Sequence, residues 1–188
     1  MKKRLLLIAI LLLVCVGCAF SPEDVKLYNK YQANRIVNKE YGKAKYIDTS
    51  KIGDSVTYTF EDKELKFQYK YKCYPESISI DGTTFGYSQS CSTTYYKEYF
   101  NYVKENIESD VDTISRKYGV RIYMNKDWDN YGKLATIESN ENDYAKAYDA
   151  GIELKELFKE YDTRKDFEHA MIQIEYPERR YDDIDIWD

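Results

Sequence analysis

The strongest constraint on the fold is a run of strict two-residue alternation between Val56 and Cys73. Val56, Tyr58 and Phe60 alternate with Thr57 and Thr59, and after Glu61-Asp62-Lys63 the pattern resumes. Leu65, Phe67, Tyr69, Tyr71 and Cys73 then alternate with Lys66, Gln68, Lys70 and Lys72. In a strand successive side chains point to opposite faces, so this spacing predicts an antiparallel hairpin with one lysine-rich wet face. Ile78 and Ile80 lead into Asp81-Gly82, and Phe85 with Tyr87 follows. Asp-Gly supplies the two positive-φ residues of a tight hairpin turn, which predicts a second hairpin there.

On either side the period lengthens to that of a helix. Ser21 as cap, Pro22 in the first turn and Asp24 beside the dipole predict a helix that carries Val25, Tyr28, Ile36, Val37 and Tyr41 and stops at Gly42. Tyr96, Phe100, Val103, Ile107, Val111, Ile114 and Tyr118 form a second helical stripe ending at Gly119. Val120, Ile122 and Met124 read as a short strand. A third helix opens at Asn140-Glu141-Asn142-Asp143 and carries Tyr144, Tyr148, Ile152 and Phe158. Ile172, Ile174 and Tyr176 make a final strand before Pro177, and in the acidic tail Ile184 and Ile186 alternate.

Taken together, the order α-β-β-β-β-α-β-α-β predicts an α+β fold. A mainly antiparallel sheet of five to six strands would pack with three helices. The expected division is 23–180 as a single α+β domain, with 181–188 as an acidic tail.

The N-terminus is of another kind. Lys2, Lys3 and Arg4 precede an unbroken apolar run from Leu5 to Val16. That layout is a secretory leader, and the run is short for a bilayer span, which takes roughly 20 residues. The four residues that follow the core of this run, Cys15-Val16-Gly17-Cys18, resemble the lipobox of bacterial lipoproteins, with Cys15 where leucine is usual. The resemblance covers the leader alone. It implies residues 1–17 as signal peptide, a diacylglyceryl anchor on the Cys18 thiol, and 18–22 as a short tether. It also implies residence on the extracytoplasmic face of the cell membrane, since two acyl chains on one residue anchor stably. In an exported chain the remaining pair, Cys73 and Cys91, reads as a disulfide stapling the base of the second hairpin.

The whole chain carries a formal charge of −5; losing the three positive side chains of the leader leaves the remainder near −8. Such a body is repelled by anionic lipid and lacks the basic face that nucleic acid requires. The 21 tyrosines predict a tyrosine-rich core, the alternative being an exposed aromatic surface for a sugar or a protein partner.

Catalytic patterns are sparse. His169 is the one histidine, so a zinc site of the H-E-x-x-H kind cannot be built, and no G-x-S-x-G elbow is present. Carboxylates are plentiful, but their spacing selects no pair for glycoside cleavage. The segment from Asp127 to Glu138 has acids at Asp127, Asp129 and Glu138 and a glycine at Gly132, as a calcium-binding loop would. Tyr131 stands where an oxygen ligand is wanted. Trp128 and Tyr131 are also candidate contact aromatics. The expectation from sequence is therefore a tethered, non-enzymatic binding or protein-interaction module without a cofactor beyond its lipid. Its partner would be an envelope protein or glycan. A glycan or envelope hydrolase and a calcium-dependent module are the alternatives.

Overall fold

The computed structural model describes residues 20–126, 132–139, 143–176 and 180–187. The chain divides into two compact units, Met1–Tyr95 and Tyr96–Asp188. Cys18 of the anchor sequence and Asp127, Trp128, Asp129 and Tyr131 of the acidic loop lie outside the described residues.

In the first unit a 3-10 turn, Pro22–Asp24, precedes helix α1, Lys30–Glu40. The helix expected from Ser21 onward thus begins later. Ser21 Oγ bonds the Asp24 carboxylate, and the cap is instead Asn29, whose side chain accepts from the Tyr31 and Gln32 amides while Gln32 reaches back to the Asn29 amide. This reciprocal capping box satisfies amides that the first turn leaves open.

Four strands follow: β1 (Ala44–Ile52), β2 (Ser55–Asp62), β3 (Gln68–Ile80) and β4 (Thr83–Thr93). They form an antiparallel sheet in the order β1-β2-β3-β4. The alternation read from sequence sets its faces. Tyr58, Phe60, Tyr69, Tyr71 and Cys73 are buried with Ala33 and Val37 of α1, whereas Lys70 and Lys72 face solvent. Asp81 and Gly82 both take positive φ in the β3–β4 turn, as the Asp-Gly signal requires. Cys73 pairs directly with Cys91 across the two strands and is joined to it in a disulfide, with the Cα atoms 4.1 Å apart.

The core of this unit is aromatic. Tyr95 stacks on Tyr41 with ring centroids 4.6 Å apart and meets Tyr69 edge-on at 5.1 Å. Phe60 stacks on Tyr69 at 6.0 Å. The Tyr58 hydroxyl donates to the Tyr28 carbonyl at 2.6 Å, and burial raises the pKa of both Tyr58 and Tyr71 above the ordinary tyrosine value.

Helix α2, Tyr95–Tyr118, leads into the second unit. It is followed by β5 (Arg121–Met124), β6 (Lys133–Glu138), helix α3 (Tyr144–Tyr161), β7 (Met171–Glu175) and β8 (Tyr181–Asp185). The sheet order is β5-β6-β7-β8; β6 and β7 are parallel, joined through α3, and the other two pairs are antiparallel. Val103, Ile107, Val111 and Ile114 of α2 are buried, as the helical stripe anticipates, and Leu134, Ile137, Ile172, Ile174 and Ile184 line the sheet's share of the core.

The fold therefore corrects the sequence expectation. The class is α+β with three helices, but its eight strands form two separate four-stranded sheets instead of one sheet of five to six. The order is α-β-β-β-β-α-β-β-α-β-β. Three strands fall outside that expectation: β8 pairs with β7 inside what reads as an acidic tail, and β1 and β6 lack the strand signal for physical reasons. β1 is exposed along nearly its whole length and so carries no buried alternation. In β6 the register shifts between Lys133 and Ala135, so Leu134 and Ala135 are buried in succession and the period breaks. The two segments expected as separate strands, 65–73 and 78–80, are largely one continuous strand, β3.

Candidate functional site

The candidate site lies in the second unit, on the outward face of α3. Residues four apart on a helix stand one above the other. Tyr144, Tyr148 and Ile152 follow that spacing. The helix buries Ala147, Ala150, Gly151, Leu154 and Phe158 against its own unit, which turns the tyrosine row outward. Tyr144 and Tyr148 are each 44 % exposed and Ile152 is 38 % exposed. The sequence placed these three on one stripe with Phe158, but small residues decide the packing. Gly151 lets the helix approach β8 so closely that a Cβ there would meet Ile184 at 2.5 Å.

The row extends past the end of the sheet. The Tyr144 ring stacks on Tyr148 at 6.3 Å and on Tyr176, beyond the end of β7, at 5.7 Å. Tyr176 is buried, donates its hydroxyl to Asp182 Oδ2 at 3.3 Å, and carries the Arg180 guanidinium 5.8 Å from its ring centroid. Burial first, then the Asp182 carboxylate, pushes the Tyr176 phenol up to about 12. Tyr176 is thus a fixed neutral anchor beneath two more exposed rings. Such an array offers flat apolar faces flanked by hydroxyls, the chemistry that stacks on a sugar ring or receives an apolar side chain.

The other end of α3 is locked by a carboxylate. Asp162, fully buried, accepts from the Tyr99 hydroxyl at 2.9 Å, the Asp166 amide at 2.8 Å, the Phe167 amide at 2.9 Å and Trp187 Nε1 at 2.8 Å. All four bonds come from this unit's own chain, so the group builds structure and is not presented to a substrate. Asp62, the other buried acid, likewise accepts from the Glu64 and Leu65 amides in the β2–β3 turn. On the helix flank Glu153 accepts from Lys117 and Tyr118, which lowers the Glu153 pKa and raises that of Lys117.

His169 is exposed and borders a cleft of about 400 Å3 with Tyr96, Lys165, Asp166 and Glu168. Its backbone carbonyl lies against Gly132, where a Cβ would come within 2.7 Å; Gly132 also has φ +68°, so the position demands glycine. Glu138 ends β6, takes a hydrogen bond from the Tyr123 hydroxyl at 3.1 Å and lies 3.7 Å from Arg121. Among the described residues no group of three or more His, Cys, Asp or Glu side chains is placed to hold a metal ion. Among them, too, no helix is long and apolar enough to cross a membrane.

The tyrosine surplus thus divides between two uses. Tyr58, Tyr69, Tyr71, Tyr95 and Tyr99 are core, while Tyr144 and Tyr148 are surface. Sequence periodicity could not separate them, because every tyrosine scores as apolar; the alanines and glycine on the opposite side of α3 were the usable signal. No family model matches this chain, no curated protein matches its sequence, and no solved structure matches its fold.

Proposed function

We propose that this protein is a lipoprotein held by a diacylglyceryl-modified Cys18 on the extracytoplasmic face of a bacterial cell membrane. Its folded part is a non-enzymatic module that binds an envelope protein or glycan. The leader from Lys2 to Cys18 supports the address, and the Cys73–Cys91 disulfide fits an oxidising compartment. The binding role is carried by the stacked, outward-facing tyrosines of α3, an aromatic surface that a solvated helix has no folding reason to expose.

The test is cross-linking in living cells followed by mass spectrometry on three forms: native, Tyr144→Ser with Tyr148→Ser, and Cys18→Ala. A specific envelope partner captured by the native form and lost with the tyrosine pair is the expected result. Equal capture by the tyrosine variant would remove α3 from the interface. Turnover of cell-wall polysaccharide by the purified protein would replace this reading with that of a hydrolase. Capture that depends on calcium would favour the Asp127–Glu138 loop instead.

A further inference from the structure

The first unit ends its sheet on an unusually bare edge. Among the described residues, each terminal strand of the two sheets has one side free of a neighbouring strand. Three of the four carry charges that discourage further pairing: Lys45, Asp48 and Lys51 on β1, Arg121 on β5, and Asp182, Asp183 and Asp185 on β8. β4 has none. From Gly82 to Tyr96 the chain holds no charged residue, although charged residues make up 32 % of the sequence. At eleven residues β4 is also the longest of these edges, and it contains no proline.

Its hydrogen-bonding groups can be assigned. The Thr94 amide donates to the Lys70 carbonyl at 3.0 Å, in the same register that pairs Cys73 with Cys91. In an antiparallel ladder bonded and non-bonded pairs alternate, so Ser92, Ser90 and Ser88 bond inward to β3. Tyr87, Gln89 and Cys91 then point their N–H and C=O groups away from it. The 4.1 Å Cα separation at Cys73 and Cys91 is that of a non-bonded pair and agrees. Pro75, opposite Gln89, agrees as well, because a residue in a non-bonded pair needs no N–H toward β4. Among the described residues no hydrogen bond to the backbone of Tyr87, Gln89 or Cys91 is found.

We propose that β4 is a homodimer edge, pairing antiparallel with β4 of a second copy of this chain. A two-fold axis through such a pair sets each strand against its own sequence. A charged strand would then meet its own charges, whereas the run Tyr87-Ser88-Gln89-Ser90-Cys91 meets only neutral groups. With Gln89 on the axis, Gln89 bonds its symmetry mate and Tyr87 bonds Cys91 of the other copy. Ser88 stands opposite Ser90 there, both with side chains on the wet face. The disulfide holds β4 in place beforehand, so little order has to be gained on association. The surface belongs to the first unit and does not involve the tyrosines of α3, so the two proposals stand or fall separately.

The purified full chain in detergent tests this by light scattering over a concentration series. The expected result is a dimer. Ser88→Lys with Ser90→Lys places lysines against lysines without touching the backbone, and should weaken the dimer by about tenfold or more. Ser88→Glu with Ser90→Glu should do the same. Mixing the two variants should restore association, because lysine then faces glutamate, and a folding defect could not be rescued in that way. Amide exchange adds a second readout: the Tyr87, Gln89 and Cys91 amides should be protected in the dimer and exposed in either variant alone. A wild-type chain that stays monomeric up to its solubility limit overturns the proposal. So does a dimer that both variants leave intact, or one in which those three amides exchange freely.

Discussion

A fully buried carboxylate that gathers four hydrogen bonds, two from backbone amides, defines the conformation of the chain around it. Asp162 caps α3, shapes the turn that follows through the Asp166 and Phe167 amides, and ties in Tyr99 and Trp187. Removing such an acceptor leaves buried donors with nothing to bond, which costs more than the bonds themselves contributed. Asp162→Ala should lower the unfolding free energy by about 3 kcal/mol or more in a denaturant titration. Asp162→Asn should recover only part of this, since its NH2 group would face donors. An alanine variant as stable as wild type would mean that water replaces the lost acceptor. Tyr176 sets a second expectation at this scale. Its phenol titrates near 12 in the fold against an ordinary value of 10.0. With a raised folded pKa, the unfolded chain loses its proton first, so the group's contribution is complete below pH 10 and is lost as the pH rises toward 12. Tyr176→Phe should therefore show a shallower fall in stability across that window, measured by denaturation at fixed pH values. An unchanged slope would show that Tyr176 ionises like an exposed tyrosine.

Among the elements, the β3–β4 hairpin carries the clearest division of labour. β2 pairs with β3 only as far as Val56 and Cys73, so beyond the disulfide the hairpin is a two-stranded ribbon out to Asp81-Gly82. Two strands alone are marginal in water, and the disulfide clamps the ribbon where its support ends. Replacing both cysteines by serine should cost roughly 3 kcal/mol in the chain-entropy model for a loop of this length. The loss should be uneven: amides between Glu76 and Ser88 should exchange faster, while those pairing β2 with β3 change little. Uniform acceleration would assign the bond a global role instead. This hairpin was also the most legible part of the sequence, because alternation, an Asp-Gly turn and two cysteines agree there. Legibility failed where burial and pattern part company. β1 is a solvated edge with nothing to alternate against, β6 has a register shift inside it, and the first helix begins where Asn29 caps it, past the serine that looked like a start. The candidate site was half visible. Tyr144 and Tyr148 were read on α3, but a stripe of tyrosines looks like core until Ala147, Ala150 and Gly151 are seen to occupy the buried side.

For the whole molecule the governing quantity is charge against attachment. If the proposed leader is removed with its three cations, the net charge of −5 falls near −8, and the long-range interaction with an anionic bilayer is then repulsive. The 3-10 turn at Pro22 stands four residues past Cys18, a connection that spans at most about 14 Å when fully extended. If Cys18 carries the anchor, acyl chains alone hold the folded part within that distance of a surface that electrostatically disfavours it. Two measurements separate these forces. The mass of the protein recovered from cells should correspond to a chain beginning at Cys18 with acyl groups attached, and Cys18→Ala should retain residues 1–17. The chain from Ala19 onward, made without the leader, should fail to sediment with vesicles, and raising their anionic lipid content should not recruit it. The acylated protein should sediment with neutral and anionic vesicles alike, because about 0.8 kcal/mol per buried methylene outweighs a screened surface repulsion. Binding of the unacylated chain that grows with anionic lipid would reveal a basic patch acting against the net charge. The bilayer would then be a partner of the folded part, and the lipid would not be its only hold on the membrane.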